Sequence, residues 1–185
     1  NFKKSDEVLM NFCIPTNIFV EKDCVTRHSS EFARYGKKAL IVTGAHSAKS
    51  NGSLNDLISV LEENNIRYQI FDQVEENPCV ETIAKAASVG KDFNADFVVG
   101  IGGGSPMDAA KAIALLIANP LENEQVLYQK KDLGHLPVIA IPTTCGTGSE
   151  ATAVSVLTNH QMGLKKSIPY KIFPELALVD GKYLA

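Results

Sequence analysis

An alternation of short apolar runs with longer helical patterns is the feature that most constrains the fold of this chain. The apolar runs are predicted as strands at residues 38–43, 66–71, 96–101 and 137–142. Helical spacing between them predicts helices from 54 to about 64, from 77 to about 93 and from 105 to about 118. Strands that alternate with helices pair in parallel, and their sheet is buried on both faces. The sequence therefore predicts an α/β fold with an open, mainly parallel sheet and helices on both faces.

Two of these helix starts carry a prediction about their cap. Asn77 is expected to cap the helix that follows it, with Pro78 in the first turn. Ser105 is expected to cap the later helix, with Pro106 at the first helical position and Asp108 completing a Ser-x-x-Asp capping box.

The two ends of the chain depart from the alternation. Residues 12–14 and 17–20 flank Pro15-Thr16 and are predicted to form a small hairpin. After Glu150, short strand-like pieces at 153–158 and 176–180 take the place of long helices.

Composition limits the partners and the compartment. The 185 residues have a formal net charge of −3, which gives no electrostatic support for binding nucleic acid or a membrane surface. No apolar run approaches the roughly 20 residues that span a bilayer, and the polar start does not resemble a signal peptide. The cysteines at 13, 24, 79 and 145 form no Cys-x-x-Cys pair, which favours free thiols. We expect a cytoplasmic domain.

A glycine-rich turn, Gly102-Gly103-Gly104-Ser105, lies between a predicted strand and a predicted helix. Glycines leave no Cβ in the way of a ligand, and the free amides of a helix start favour a phosphate. The turn lacks the G-x-G-x-x-G spacing, and Asp108 adds a negative charge nearby. That charge is acceptable if the carboxylate folds back on the helix start and pairs with Lys111. A tight turn without a ligand is the alternative.

A second polar loop, Pro-Thr-Thr-Cys-Gly-Thr-Gly-Ser-Glu at 142–150, also follows a predicted strand. Its four hydroxyl side chains and two glycines make a surface of hydrogen-bond donors and acceptors. Because ligands of open α/β sheets bind at the carboxyl ends of strands, the two loops are expected to form one site. A solvated turn is the alternative.

Together, segments 102–111 and 142–150 resemble the iron-containing alcohol dehydrogenases, the group III metal-dependent family, in sequence, order and spacing. Segments 12–18 and 173–180 are similar to that family too, so the resemblance covers nearly the whole chain. It implies a Rossmann-like domain, of the type that begins dehydroquinate synthase, which binds a nicotinamide dinucleotide. It also implies hydride transfer between alcohols and aldehydes or other carbonyls, with a divalent metal polarising the substrate oxygen.

The resemblance implies roles for particular residues of the two loops. Gly103, Gly104 and Ser105 would hold the cofactor diphosphate, and Asp108 would support their turn. The hydroxyl groups that would line the diphosphate and the nicotinamide ribose belong to Thr143, Thr144, Thr147 and Ser149. A lysine before the last strand contacts the ribose in this family; Lys165 is the candidate, although spacing does not distinguish it from Lys166.

The resemblance also bears on the choice between NADP and NAD. Family members that prefer NAD often carry an aspartate after the first strand, where this chain has Gly44. Ser47 could donate to a 2′-phosphate and Lys49 could supply positive charge, so NADP is expected. A solvated Lys49 without a ligand is the alternative reading.

The family's metal ligands are an aspartate and histidines of an all-helical domain, and the sequence Asp-Ala-Leu-x-His that carries two of them does not occur here. The histidines at 28, 46, 135 and 160 lack ligand spacing, so no metal ligand and no catalytic residue is predicted, and Fe²⁺ or Zn²⁺ would be held elsewhere. We expect residues 1–180 to be the dinucleotide-binding domain and residues 181–185 to start a linker to the helical domain. A homodimer through residues 12–20 is also expected.

The same residues also fit other families of enzyme and one other class of protein. Relatives of glycerol dehydrogenase, of glycerol-phosphate dehydrogenase and of dehydroquinate synthase share the glycine-rich turn, whereas the loop at 142–150 favours the alcohol dehydrogenases. From a different class of protein, the chain could be a stand-alone, non-catalytic module that binds a nucleotide or a phosphosugar. Protection by a phosphosugar but not by NADP would favour the phosphosugar.

Overall fold

Six strands within residues 13–184, the part of the chain that this computed structural model describes, form one parallel sheet. They are β1 (Asn17–Val20), β2 (Lys38–Thr43), β3 (Arg67–Phe71), β4 (Phe97–Gly102), β5 (Val138–Pro142) and β8 (Leu176–Val179). Their order across the sheet is β1-β8-β5-β4-β2-β3. The remaining strands, β6 (Val156–Asn159) and β7 (Leu164–Ser167), form a separate antiparallel hairpin. The predicted open parallel sheet is confirmed.

The α-helices of the described residues are α1 (Cys24–Arg27), α2 (Ser47–Ser50), α3 (Ser53–Glu63), α4 (Val80–Phe93) and α5 (Gly104–Ala118). Helices α3, α4 and α5 lie where helical spacing predicts them. Among residues 13–184, no helix is both long enough and apolar enough to cross a membrane.

The helices cover the two faces of the sheet in different groups. Helices α4 and α5 pack on one face, against Leu40 and Val98. Helices α1 and α3 pack on the other face, against Ile41 and Val99, because neighbouring residues of a strand point to opposite faces. Every residue of the central strands β4 and β5 is buried, which explains why these strands read as continuous apolar runs rather than alternating ones.

The predicted hairpin at the start of the chain is wrong for the residues that the structure describes. Phe12 lies outside them, and no strand is formed by residues 13–14. Instead, β1 pairs in parallel with β8, with Asn17 opposite Leu176 and Val20 opposite Val179. Strand β8 offers backbone partners to all four residues of β1, whereas residues 12–14 could pair with only three of them.

Both predicted helix caps are wrong in detail. Helix α5 starts at Gly104 after Gly103, so Ser105 and Pro106 lie one or two residues inside the first turn. Helix α4 starts at Val80, and its cap is Cys79, whose Sγ accepts a hydrogen bond from the Thr82 N–H at 3.4 Å. Asn77 instead adopts a left-handed conformation with φ 56°, which asparagine tolerates better than most residues.

Residues 180–183 are tightly packed. The Asp180 carboxylate is fully buried and accepts hydrogen bonds from the Cys24 and Lys182 N–H groups at 3.1 and 3.0 Å. The Tyr183 ring is also fully buried, and its hydroxyl donates to Asp56 at 2.6 Å. These contacts hold Asp180 against the start of α1 and Tyr183 against α3.

Candidate functional site

Three loops meet at the carboxyl edge of the sheet. The loop after β2 contains Gly44, the glycine-rich turn follows β4, and the hydroxyl loop follows β5. Strand β2 connects onward to β3 on one side, whereas β4 lies on its other side and connects to β5. The chain therefore reverses direction across the sheet between β2 and β4, and such a switch point leaves a crevice for ligands.

The hydroxyl loop lies directly over the glycine-rich turn. A Cβ placed on Gly103 would lie 3.1 Å from Thr144 Oγ1, and one on Gly104 would lie 3.2 Å from Thr147 Cγ2. Any larger residue at these positions would therefore push the hydroxyl loop away. Glycine at both positions therefore lets the hydroxyl loop pack closely against the turn.

The start of α5 lies in this crevice. Its cap residue, Gly103, has no side chain, and no side chain of residues 13–184 caps the first turn of α5 by a hydrogen bond. The expected capping box does not form, because the Asp108 carboxylate accepts from Ser149 Oγ at 2.6 Å and from the Val156 N–H at 2.9 Å. The first amides of a 15-residue helix are thus left for a ligand, and they favour a negative charge.

Two buried hydroxyls at the same edge have no hydrogen-bond partner among the described residues. They are Thr43 Oγ1 at the end of β2 and Thr143 Oγ1 directly after β5. The Thr143 backbone is held in place, since its N–H donates to the Gly102 carbonyl at 2.8 Å. Buried polar atoms are nearly always paired, so these oxygens are consistent with a polar ligand or water between the strand ends.

A groove of about 310 Å³ runs along the start of α5. Six of the residues implied by the family resemblance line it: Gly104, Ser105, Asp108, Thr147, Ser149 and Lys165. Of the others, Gly103 and Thr144 contact each other at the rim, and Thr143 is buried behind the loop. Gly44 and Ser47 lie at the end of β2 and the start of α2, outside this groove.

Lys111 holds the wall of the groove from inside the protein. It is fully buried, and its ammonium donates to the carbonyls of Ser149, Thr152 and Val154 and to Ser149 Oγ at 2.8–2.9 Å. Asp108 lies on the same helix, with Oδ1 3.8 Å from Lys111 Nζ, so the expected pairing is present as a secondary contact. A lysine of α5 thus fixes the backbone of segment 149–154.

Burial also sets the protonation of this lysine. Removal from water lowers the pKa of Lys111 to about 8, and the charges of Asp108 and Glu150 oppose the shift. The ammonium form therefore predominates at neutral pH, and it can donate to the oxygens of segment 149–154.

Lys165 and Lys166, which spacing could not separate, have different surroundings in the hairpin. Lys165 lines the groove, and its Nζ donates to Asn77 Oδ1 at 2.5 Å. Asn77 also lines the groove, and its N–H donates to Ser105 Oγ at 3.2 Å. Of the two lysines, Lys165 is the one that lines the groove.

The loop after β2 contains an ion pair that the sequence does not reveal. Lys49 Nζ lies 2.6 Å from Asp72 Oδ2, and Asp72 directly follows β3. The lysine holds the pKa of the Asp72 carboxyl below its usual value. The positive charge expected beside Gly44 is thus shared with a carboxylate.

The sequence does not predict that Asn77 and Asp72 belong to this region. It also does not predict that Lys111 anchors the backbone of segment 149–154. Only Lys111 leaves a trace in the sequence, as a basic residue within the otherwise apolar stretch 109–118. Asn77 and Asp72 reach the site through the packing of distant segments, which spacing along the chain does not encode.

A parallel sheet with a glycine-rich turn at its switch point defines the chain as a Rossmann-like α/β domain. Residues 15–181 match the family described as iron-containing alcohol dehydrogenase. The chain belongs to this family, as its two polar loops indicated.

Several relatives cover almost the whole chain. An NADPH-dependent butanol dehydrogenase of Clostridium saccharobutylicum is 33% identical over 94% of this chain and 45% of its own length. An NADH-dependent butanol dehydrogenase B of Clostridium acetobutylicum is 35% identical over 93% of this chain and 45% of its own. A crystal structure of an iron-containing alcohol dehydrogenase from Thermotoga maritima is 44% identical with a TM-score of 0.88, covering 94% of this chain and 48% of that one. The chain therefore spans about half the length of its relatives.

Proposed function

We propose that this chain binds a nicotinamide dinucleotide along the start of α5 and forms the cofactor half of a metal-dependent alcohol dehydrogenase. The observation that carries the proposal is the uncapped start of α5 beneath a turn without side chains. A diphosphate there would accept hydrogen bonds from the free amides and would be stabilised by the helix dipole. The buried, unpaired hydroxyl of Thr143 and the glycine turn both suit a ligand of this shape and polarity.

The contacts of each residue suggest its role. Gly103 and Gly104 let the hydroxyl loop pack onto the turn that would hold the diphosphate, and Ser105 lies in the first turn of α5. The exposed hydroxyls of Thr144 and Thr147 can donate to phosphate or ribose oxygens. Lys165 would meet the nicotinamide ribose from the hairpin.

Asp108 and Ser149 have a different part in the same proposal. Their side chains bond each other at 2.6 Å, and Ser149 Oγ also accepts from Lys111. They shape the wall of the groove and keep the Asp108 carboxylate occupied with protein donors, away from a bound anion.

A bound nicotinamide dinucleotide supplies the hydride donor or acceptor for interconverting an alcohol and an aldehyde. This chain's own contribution is to bind and orient the dinucleotide. The family's Asp-Ala-Leu-x-His ligand motif does not occur in the sequence, so we assign no residue of the groove to Fe²⁺ or Zn²⁺.

Within this proposal, the cofactor is NADP. Gly44 follows β2, and Ser47 and Lys49 in α2 offer a hydroxyl and a positive charge for a 2′-phosphate. Asp72 already partners Lys49, so NADP would have to compete for this lysine.

A homodimer and a cytoplasmic location complete the proposal. Among residues 13–184, strand β1 lies at the edge of the sheet, and Ile18 and Val20 on it are partly exposed. The cysteines at 13, 24, 79 and 145 are free thiols, which suits a reducing compartment.

The first test is to titrate the 185-residue chain with NADP and with NAD while following thermal unfolding and heat of binding. Ligands that bind the native state alone raise the unfolding temperature, and NADP should do so more strongly than NAD. Gly104→Val should abolish the effect because its side chain collides with Thr147, whereas Gly134→Val is the control, since a Cβ at Gly134 meets no atom within 4 Å. Binding that survives Gly104→Val would refute the site, and stabilisation by a phosphosugar alone would favour the phosphosugar module.

A further inference from the structure

Outside the groove, three different metal-binding side chains come together at the start of α4. Cys79 Sγ, a carboxylate oxygen of Glu81 and a ring nitrogen of His160 all lie within 4.8 Å of one another. We propose that these three residues form a second metal site, for a borderline divalent ion of the Zn²⁺ or Co²⁺ type, which is separate from any metal of the alcohol dehydrogenase reaction.

The fold brings these residues together although they are about 80 positions apart in the sequence. Cys79 caps α4, and Glu81 lies in the first turn. His160 begins the turn that joins β6 to β7. A backbone bridge pairs Cys79 with Thr158, and the Thr158 N–H donates to the Pro78 carbonyl at 2.9 Å. The two segments are therefore held side by side by backbone contacts that do not depend on a metal.

The donor set matches the chemistry of zinc. Thiolate sulfur, imidazole nitrogen and carboxylate oxygen are its usual ligands, and three protein ligands with a water complete a tetrahedron. With metal–ligand bonds of about 2.0–2.3 Å, the donors of a tetrahedral site lie about 3–4 Å apart. His160 Nδ1 and Glu81 Oε2 are already 3.6 Å apart. Their side chains are 67% and 52% exposed, so both can rotate the remaining distance towards Cys79.

The surroundings favour a cation over an unmetallated thiol. Glu75 lies on the other side of Cys79, and its Oε1 accepts from the Cys79 N–H at 2.7 Å. Glu81 adds a second carboxylate near the thiol. A divalent ion would offset this negative charge and would replace the thiol proton as it binds.

An ion at this place would be connected to the groove through the β6–β7 hairpin. It would tie the turn at His160 to α4, and the same hairpin carries Lys165, whose Nζ contacts Asn77. The proposal does not depend on dinucleotide binding, because none of its three ligands lines the groove.

Co²⁺ is the probe that tests the site, because a cobalt–thiolate bond produces a charge-transfer absorption that carboxylate and imidazole ligands do not. The metal-free 185-residue chain should bind one Co²⁺ with this absorption, and Zn²⁺ should displace it. Cys79→Ser should abolish the absorption while keeping the helix cap, since serine is a good cap residue. His160→Asn should weaken binding by about 10-fold or more, because even the outer partners of metal ligands are worth about 10- to 100-fold.

Matched controls separate this site from other thiols and imidazoles. Cys145→Ser removes an exposed free cysteine, and His46→Asn removes a histidine of the loop after β2; neither should change the absorption or the affinity. The proposal is overturned if the wild-type chain shows no charge-transfer absorption, or if the absorption persists in Cys79→Ser. Loss of the absorption in Cys145→Ser would equally overturn it. Gly104→Val, which should lose dinucleotide binding, should keep the cobalt–thiolate absorption, so failure of one proposal can be told from failure of the other.

Discussion

Lys111 is a single buried charge on which a whole segment of backbone depends. Its ammonium donates to three carbonyl oxygens and one hydroxyl oxygen, all belonging to residues 149–154. Hydrogen bonds from a charged donor are stronger than neutral ones, and acceptors left unpaired after burial are costly.

Replacing this lysine should therefore destabilise the protein and impair the groove together. Lys111→Met keeps most of the side-chain volume but removes the donor, so we expect the free energy of unfolding to fall by about 2–4 kcal/mol. Lys85→Met, on the exposed side of α4, is the matched control and should change it by less than about 0.5 kcal/mol. Denaturant unfolding at neutral pH measures both values. Equal stability of the two variants would contradict the anchoring role.

The lowered pKa of Lys111 predicts a pH dependence whose sign can be worked out. The pKa is about 8 in the folded chain and 10.5 for an ordinary lysine, so between these values the unfolded chain binds more protons. The free energy of unfolding should therefore rise with pH above 8, by about 1 kcal/mol at pH 9. Denaturant unfolding of the wild type and Lys111→Met from pH 7 to 9 isolates this contribution as their difference. A difference that stays constant or shrinks over this range would be the contrary result.

The ion pair between Lys49 and Asp72 predicts the cofactor preference of each variant. Lys49→Ala should weaken NADP binding by about 10-fold and leave NAD binding nearly unchanged, because only NADP carries the 2′-phosphate. Asp72→Asn should strengthen NADP binding, since it frees Lys49 and removes a negative charge. Calorimetric titration with both cofactors gives the affinity of each variant for NADP and for NAD relative to the wild type. Weaker NAD binding in Asp72→Asn would instead make Asp72 a ribose ligand and favour NAD.

Among the elements, α4 has an unusual start, because a thiol caps it. Cys79 Sγ accepts from the Thr82 N–H at 3.4 Å and lies 3.2 Å from Thr82 Oγ1. Cys79→Ala should lower the free energy of unfolding by about 1 kcal/mol, whereas Cys79→Ser should keep most of it, because the hydroxyl can take over the cap. Thermal unfolding of the two variants, without added metal, makes the comparison. If alanine and serine behave alike, the thiol does not act as the cap.

Element types and order could be predicted from the sequence, whereas their precise starts and partners could not. The runs at 38–43 and 137–142 are apolar throughout because their strands are buried on both faces. The sequence pattern misplaces the start of α5, because serine is a good cap residue and Ser105 is therefore the expected cap. In the structure, the turn after β4 makes Gly103 the cap residue. Strand β1 pairs with β8, and the paired residues Asn17 and Leu176 are 159 positions apart. A local sequence pattern cannot predict a pairing over that distance.

The candidate site follows the same division. Its glycines and hydroxyls are adjacent in sequence, so motif and chain order were enough to propose them. The contact of Lys165 with Asn77 spans 88 positions and arises only when the hairpin folds back on α4.

For the molecule as a whole, the open edge at β1 is the feature that bears on assembly. In the part of the chain that the structure describes, β1 pairs with β8 alone, and Val20 is 72% exposed. Val20→Lys should shift a dimer to monomer at equal concentration, because a charge on an edge strand opposes pairing with another chain. Leu121→Lys, at a fully exposed position in a loop, is the control. Sedimentation velocity on the three proteins gives the masses, and dimers that tolerate Val20→Lys would place the interface elsewhere.

The buried ammonium of Lys111, which holds segment 149–154, also affects how fast a ligand can bind. Because its bonds to the Ser149, Thr152 and Val154 carbonyls come from within the protein, the protein itself holds this wall of the groove rigid. Little conformational entropy is then lost on association, and encounter need not wait for a loop to order. We expect the amides of this segment to exchange with solvent as slowly in the free chain as in the liganded one.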